Sequence, residues 1–158
     1  MDKLDVLNQV AEFHRTFRHP IEPLPVIPAE DRCQLRLNLL AEELKELESA
    51  VAEKDIVAVA DALCDIQYVL SGAVLEFGLG EKFRSLFEEV QRSNMSKICH
   101  SREEALATVA YYEQERGFAC YIREEDGHFL VYREGDHKTL KSVNYSPADL
   151  KAILESGE

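Results

Sequence analysis

The chain has 158 residues, 46% of them hydrophobic and 30% charged, which is the balance of a folded globular protein and excludes a disordered one. Its net charge of −12 speaks against nucleic acid or an anionic membrane as partner, because both require basic patches, and suits a protein that collects divalent cations. The length fits one domain, or one domain with a small appendage, with room for a core.

Residues 2–17 place Leu4, Leu7, Val10, Ala11 and Phe17 at helical spacing, with acidic residues in the first turn and Pro20 beyond the end. No signal-peptide core is visible in this stretch, and a cytoplasmic location is expected. His14 lies beside the core positions and reads as a structural histidine. Four of the five prolines fall between Pro20 and Pro28, so this segment is expected to be an extended connector crossing the end of a helical bundle. A second helix is expected over 29–52, with Leu37, Leu40, Leu44, Leu47 and Val51 as its inward stripe. Glu42, Glu43 and Glu46 leave from nearly the opposite side. Such a side is ordinarily solvated, but Leu39 and Ala50 share it, which implies that another surface covers part of it. Lys54-Asp55 marks a short link, and short links join antiparallel neighbours.

The helix after that link, IVAVADALCDIQYVLSG over residues 56–72, is apolar on nearly every side, the pattern of a helix buried all round. Its only charges are Asp61 and Asp65, four apart and therefore on one face. Carboxylates in such a place need compensation, because an unpartnered buried charge costs several kcal/mol. No Lys or Arg lies between Lys54 and Lys82, which leaves a cation brought in by function or a basic residue distant in sequence. The stretch 56–79 is long enough to span a membrane, but Asp61, Asp65 and Glu76, with no basic flanks, favour a soluble core helix.

Gly78 and Gly80 interrupt the chain, and residues 81–97 read as a fourth helix with Phe83, Leu86, Phe87 and Val90 on one stripe. Continuing the same step reaches Asn94 and Lys97, which are expected to point inward with it. Ser101-Arg-Glu-Glu104 is a capping box for a fifth helix that Gly117 closes. Beyond it the period changes to two. Residues 118–124 and 128–133 alternate around Asp126-Gly127, a hairpin turn. Asp136-His-Lys138 reads as a second turn into a short strand over 139–143, and Ser146-Pro147 as the cap and first position of a final helix. The expected fold is mainly α, with an antiparallel helical bundle over 1–97 and a small α+β extension with a β-hairpin over 98–158. Cys33, Cys64, Cys99 and Cys120 show no CxxC or zinc-type spacing, which predicts free, mostly buried thiols in a reducing compartment.

Two acidic pairs thus fall on adjacent antiparallel helices: Glu43/Glu46, with Glu42 beside them, and Asp61/Asp65. If their sides meet, the shared pocket is tenable only with cations or bound protons. An all-oxygen ligand set without His or Cys selects Mg²⁺, Mn²⁺ or Ca²⁺ over zinc or copper. The helices lack the Glu-x-x-His of a ferritin-like di-iron site, and the chain has no GxxxxGK[ST] or GxGxxG loop. Mg²⁺ held by a few carboxylates keeps positions open for water and phosphates, to which Asn94, Lys97, Lys138 and Lys141 are complementary donors. Chemistry at such a site rests on metals that bridge phosphate oxygens and activate water.

In that order, AEELKELESA, ADALCDIQYVLSG and EEVQRSNMSK resemble the MazG-like and phosphoribosyl-ATP pyrophosphohydrolase-like superfamily of all-α nucleoside triphosphate pyrophosphohydrolases. The family pattern is an ExxE pair, an acidic pair on the next helix and a later NxxK. The resemblance covers residues 2–97, and REGDHKTLKSVNYSPADL is similar to the Lys-rich tail of some members. It implies that Glu43 and Glu46 are Mg²⁺ ligands, with Mn²⁺ as an alternative metal, that Asp65 is a third ligand, and that Asn94 and Lys97 contact phosphate or sugar. The family's second pair is usually ExxD. Here the residue three before Asp65 is Ala62, so Asp61, one position earlier, is expected to take the missing role. Residues 99–134 have no counterpart in the pattern.

The activity so implied is hydrolysis of a nucleoside triphosphate between its α and β phosphates to a monophosphate and pyrophosphate, as nucleotide-pool house-cleaning. Glu42 or Glu43 would help deprotonate the attacking water. Phosphoribosyl-ATP hydrolysis in histidine biosynthesis is the alternative within the same chemistry. Homodimers or dimers of dimers are implied as well. A reading of another class is a non-catalytic acidic helical adaptor, against which Asp61 and Asp65 count because their helix has no other polar side.

Overall fold

The structure is a computed structural model that describes residues 4–156. It is mainly helical, with α1 (Val6–Phe17), α2 (Glu30–Glu53), α3 (Ile56–Glu76), α4 (Phe83–Met95), α5 (Arg102–Arg116) and α6 (Leu150–Glu155). A single antiparallel pair, β1 (Cys120–Glu125) and β2 (His128–Arg133), forms the hairpin. Asp2 and Lys3, the expected start of the first helix, lie outside the described residues. The chain divides into two compact units, Met1–Phe83 and Arg84–Glu158, a division at the start of α4 and ahead of the boundary expected after Lys97.

In the first unit, α1 and α2 each pack on α3. Asp5 caps α1 by accepting from the Asn8 N–H, and Asp55 caps α3 by accepting from Val57 and Ala58 N–H. The proline-rich connector crosses the end of α3 as expected: Glu22 N–H donates to Leu75 O at 3.0 Å and Val26 N–H to Phe77 O at 3.1 Å. That crossing demands Gly78, whose φ is +67° and whose added Cβ would lie 1.8 Å from Leu24 O. Beside the small apolar cluster of Val10, Ala11 and Leu75 sits an ionic one. Glu76, 1% exposed, is clasped by Arg32 and Arg36 of α2, and Arg36 also donates to His14 Nε2 at 3.2 Å. The His14 Nδ1–H donates to Pro20 O at 2.8 Å, so the imidazole is neutral, and burial lowers its pKa. His14 is structural, as its position implied.

Two expectations are corrected here. The helix α3 is not buried all round: Ile56 is 76% exposed, Asp61 and Asp65 are exposed, and only Ala62 and the C-terminal turns are buried. The reason is that α1 and α2 cover one side of it, so the burial argument made for Asp61 and Asp65 applies instead to Glu76. Nor is Leu37–Leu44–Val51 the inward stripe of α2, since all three are exposed while Leu40 and Leu47 are half-buried. The inward side carries Arg36, Leu39, Glu43 and Ala50, because Arg36 must reach Glu76 on the neighbouring helix. By length and composition alone α3 could cross a membrane; with Glu76 held by two arginines of α2, it is a bundle helix.

The second unit is built on a conventional apolar core. Cys99, Ala105, Val131 and Leu140 are buried, with Val109, Tyr112, Ile122 and Phe129 packed around them. Ser101 caps α5 by accepting from Glu104 N–H, while Glu104 accepts in return from His100 N–H, and Gly117 ends the helix in the left-handed region. Asp126 and Gly127 have φ of +49° and +76°, as a two-residue hairpin turn requires. The strand expected over 139–143 shrinks to one bridge, Tyr132↔Thr139, because α5 draws the chain away: Glu104 accepts from the Ser142 hydroxyl and Thr108 Oγ1 from Val143 N–H. Asp149, not Ser146-Pro147, caps the last helix, and Ser146 is bonded to Arg92 and Ser96 instead. On α4 the buried positions are Leu86 and Ser93, so the step from Phe87 to Asn94 points outward rather than inward. The four thiols are free, but only Cys99 is buried and Cys64 is exposed, which corrects the expectation of mostly buried cysteines.

Candidate functional site

Antiparallel packing decides which carboxylates can meet. Glu43 and Asp65 lie at nearly equal distances along the chain from the Lys54-Asp55 link, so the hairpin of α2 and α3 sets them at one level. Glu46 and Asp61 lie nearer the link, one turn along on the same sides. Glu43 is half-buried, whereas Glu42, Glu46, Asp61 and Asp65 are exposed. Burial pushes the Glu43 carboxyl above the usual carboxylate range, and the charges of Asp65, Glu46, Glu42 and Asp61, in that order, push it further. All five acids are therefore within electrostatic reach of one side chain.

Glu76 makes the contrast. Burial would raise its pKa too, but hydrogen bonds and charge from Arg36 and Arg32 outweigh it and hold the carboxyl below the usual range. Among the described residues, none of Glu42, Glu43, Glu46, Asp61 and Asp65 forms an ion pair. The distant basic partner foreseen as one solution thus exists for Glu76 and not for this cluster. Among the described residues, no three His, Cys, Asp or Glu side chains already stand close enough to hold a metal ion. The donor set is of the type a hard divalent cation takes, oxygen only and gathered from two helices, with no ion-pair partner among the described residues.

The second unit gathers donors of the opposite sign. Lys97 Nζ donates to Asn94 Oδ1 at 2.7 Å, and Lys141 Nζ stands 4.3 Å from the centroid of the Tyr145 ring. The Tyr145 hydroxyl pairs with the Ser93 hydroxyl at 2.9 Å. The Ser93 bond first, then the charges of Lys141 and Lys97, lower the Tyr145 pKa. Asn94, Lys97 and Lys141 are thus brought together around Tyr145. Lys138 is left apart in an exposed turn, where its backbone bonds Asp136 and Arg133. Ser93 and Tyr145 escaped the reading of the sequence. Tyr145 lies in an irregular segment with no periodicity to betray it, and Ser93 falls outside the apolar Phe83, Leu86, Phe87 and Val90 stripe.

Residues 10–94 match the family described as phosphoribosyl-ATP pyrophosphohydrolase. The match runs from α1 nearly to the end of α4 and takes in Glu42, Glu43, Glu46, Asp61, Asp65 and Asn94, whereas Lys97, Lys138 and Lys141 lie beyond it. An uncharacterized protein of Acanthamoeba polyphaga mimivirus is 34% identical to the chain over 236 aligned positions, which cover 92% of this chain and 94% of that relative.

Proposed function

The chain belongs to the phosphoribosyl-ATP pyrophosphohydrolase family and is a nucleotide pyrophosphohydrolase, and on that premise we propose that it cleaves a nucleoside triphosphate between the α and β phosphates in a house-cleaning role. The observation that carries the proposal is the convergence of four other carboxylates on Glu43 with no basic partner for any of the five among the described residues. Glu43, Glu46, Asp61 and Asp65 would hold Mg²⁺ or Mn²⁺. When bound, such an ion supplies positive charge to phosphate oxygens and lowers the pKa of the water it holds. Glu43, whose surroundings favour its protonated form, is suited to take the proton of the attacking water, with the adjacent Glu42 as second acceptor. Water adds to the α phosphorus, the bridging Pα–O bond breaks, and its electron pair leaves on pyrophosphate. Asn94, Lys97 and Lys141 would contact phosphate or sugar, and Lys138 is set aside.

We propose further that the active form is a homodimer or a dimer of dimers. Leu37, Leu44 and Val51 of α2, and Ile56, Val57 and Leu63 of α3, stand exposed on the unit that carries the acids, more apolar side chain than a finished surface leaves uncovered. Thermal melting with and without Mg²⁺ or Mn²⁺ tests the cation site: a specific upward shift is expected, and Asp65→Ala should abolish both the shift and pyrophosphate release while the metal-free melting point holds. An acidic adaptor would show no specific shift and release no pyrophosphate. The family's description favours phosphoribosyl-ATP as a second substrate reading. A pyrophosphate-release screen over canonical, deoxy and oxidised nucleotides together with phosphoribosyl-ATP separates the two by which compound gives the highest kcat/KM.

A further inference from the structure

The second unit contains a cleft of about 680 Å³ between the C-terminal part of α5 and the segment around Lys141, well within the size range of small-ligand sites. Its lining includes Tyr111, Tyr112, Phe118 and Tyr145, together with Arg116 and Lys141. The chain carries 30 acidic residues against 18 basic ones, yet this lining has two cations and no carboxylate. Neither cation forms an ion pair among the described residues, and the nearby charge on Arg116 is that of its neighbour Glu115.

The rings are held in place before any ligand arrives. The Tyr112 hydroxyl accepts from Lys141 N–H at 3.1 Å, the Tyr145 hydroxyl is tied to Ser93, and the Tyr111 hydroxyl accepts from Arg116 at 3.4 Å. Tyr111 and Tyr112 meet at 80° with centroids 5.2 Å apart, and Phe118 lies nearly parallel to Tyr112 at 16°. Fixed π faces take up a flat heteroaromatic ring whatever its hydrogen-bonding edge, and a guanidinium beside an ammonium takes up a phosphate.

We infer that this cleft binds a nucleotide, with the base against the Tyr111 and Tyr112 rings and the phosphate on Arg116 and Lys141. The inference does not rest on the proposed reaction, with which it shares only Lys141. It is tested on the full chain in excess chelator, so that the carboxylate cluster holds no divalent ion. Adenosine 5′-monophosphate, adenosine, ribose 5-phosphate and inorganic phosphate are titrated by calorimetry and by tyrosine fluorescence, three of the six tyrosines being in the cleft.

Adenosine 5′-monophosphate should bind at least about tenfold more tightly than each of the other three, because only it engages rings and cations together. Arg116→Ala should weaken the monophosphate about tenfold and leave adenosine unchanged, whereas Tyr111→Ala should weaken both and leave ribose 5-phosphate unchanged. Both residues are exposed, so neither variant threatens the fold. Binding no tighter than that of inorganic phosphate, or binding unmoved by both variants, overturns the inference. Steady-state kinetics with Mg²⁺ identify the source of the nucleotide. If Arg116→Ala raises KM in step with Kd, the bound nucleotide is the substrate or product; if KM stays constant while Kd rises, it is a second nucleotide.

Discussion

In the first unit the largest fully buried side chain is a glutamate, Glu76, locked to two arginines, while leucines, two valines and an isoleucine of α2 and α3 stand in solvent. In the second unit the core cluster is Cys99, Ala105, Val131 and Leu140, the buried polar residues Ser93, Thr108 and Ser142 are uncharged, and ion pairs such as Arg92–Glu89 and Arg133–Asp136 lie on the surface. The second arrangement is what hydrophobic burial produces when a single chain completes its own core. The first sets an ionic group, Glu76 with Arg36, beside its small apolar core and leaves apolar side chains of α2 and α3 exposed. It also carries a second set of carboxylates with no basic partner among the described residues, and the two departures occupy the same pair of helices. Both departures fit the proposed reading, in which a cation would complete the acids of the first unit and a second copy its leucines.

The sharpest way to break the comparison is at Glu76. Glu76→Ala leaves Arg36 buried with the neutral His14 as partner and no counter-charge, and should destabilise the first unit by about 3–5 kcal/mol, measured by chemical denaturation. The two carboxyls on this helix pair also predict opposite pH behaviour. Glu76 has a folded pKa below the ordinary value of about 4.3, so its contribution is present above that value and is lost as pH falls through the folded one. Glu76→Gln should therefore remove the share of the acid-induced loss of stability that Glu76 contributes, leaving that of the other carboxyls with lowered pKa, such as Glu104. Glu43 has a raised folded pKa, so without divalent ions its contribution is present at low pH and is lost as pH rises through the folded value. Glu43→Gln should abolish that loss with rising pH and make the metal-free protein slightly more stable near neutrality.

Next in size is the apolar exterior. Leu44→Glu and Val57→Glu should shift sedimentation toward monomer at micromolar concentration. On a true monomer, the same exposed substitutions would stay within about 0.5 kcal/mol and leave sedimentation unchanged. The smallest effect belongs to the second unit. Gly127→Ala places a Cβ at φ +76° in open space, so it should cost only about 1–2 kcal/mol of local strain, seen as faster hydrogen exchange in the hairpin and not in the first unit.

Local features were legible in the sequence because local chemistry makes them. The spacing of Leu7, Val10 and Ala11, the Ser101–Glu104 box and the Asp126-Gly127 turn each appear where the pattern puts them. So does the connector with its prolines. Other features depend on what lies opposite in space. Arg32 and Arg36 are separated from Glu76 by 44 and 40 positions, so no window of sequence shows that they pair. That pairing turns α2 so that Glu43 and Ala50 face inward and Leu44 faces out, the reverse of what the leucine spacing implied. Apolar residues announce that they must be covered without saying by which surface, and for this reason α3 was read as buried within its own chain. For the candidate site, the i, i+3 and i, i+4 spacings and the short link were enough to align the four metal-ligating candidates. The grouping of Lys97 and Lys141 around Tyr145 was not visible, because it is made by an irregular tail with no period.

The central claim is that the carboxylates gathered from α2 and α3 hold a divalent ion and direct water to the α phosphorus of a nucleotide. Hydrolysis in ¹⁸O-labelled water with Mg²⁺, followed by ³¹P spectroscopy of the products, tests it most directly. The account predicts equal amounts of monophosphate and pyrophosphate, the label on the monophosphate alone, and at least a hundredfold loss, about 2.7 kcal/mol of barrier, in Asp65→Ala. Label on pyrophosphate or orthophosphate, or full activity in Asp65→Ala, would contradict it.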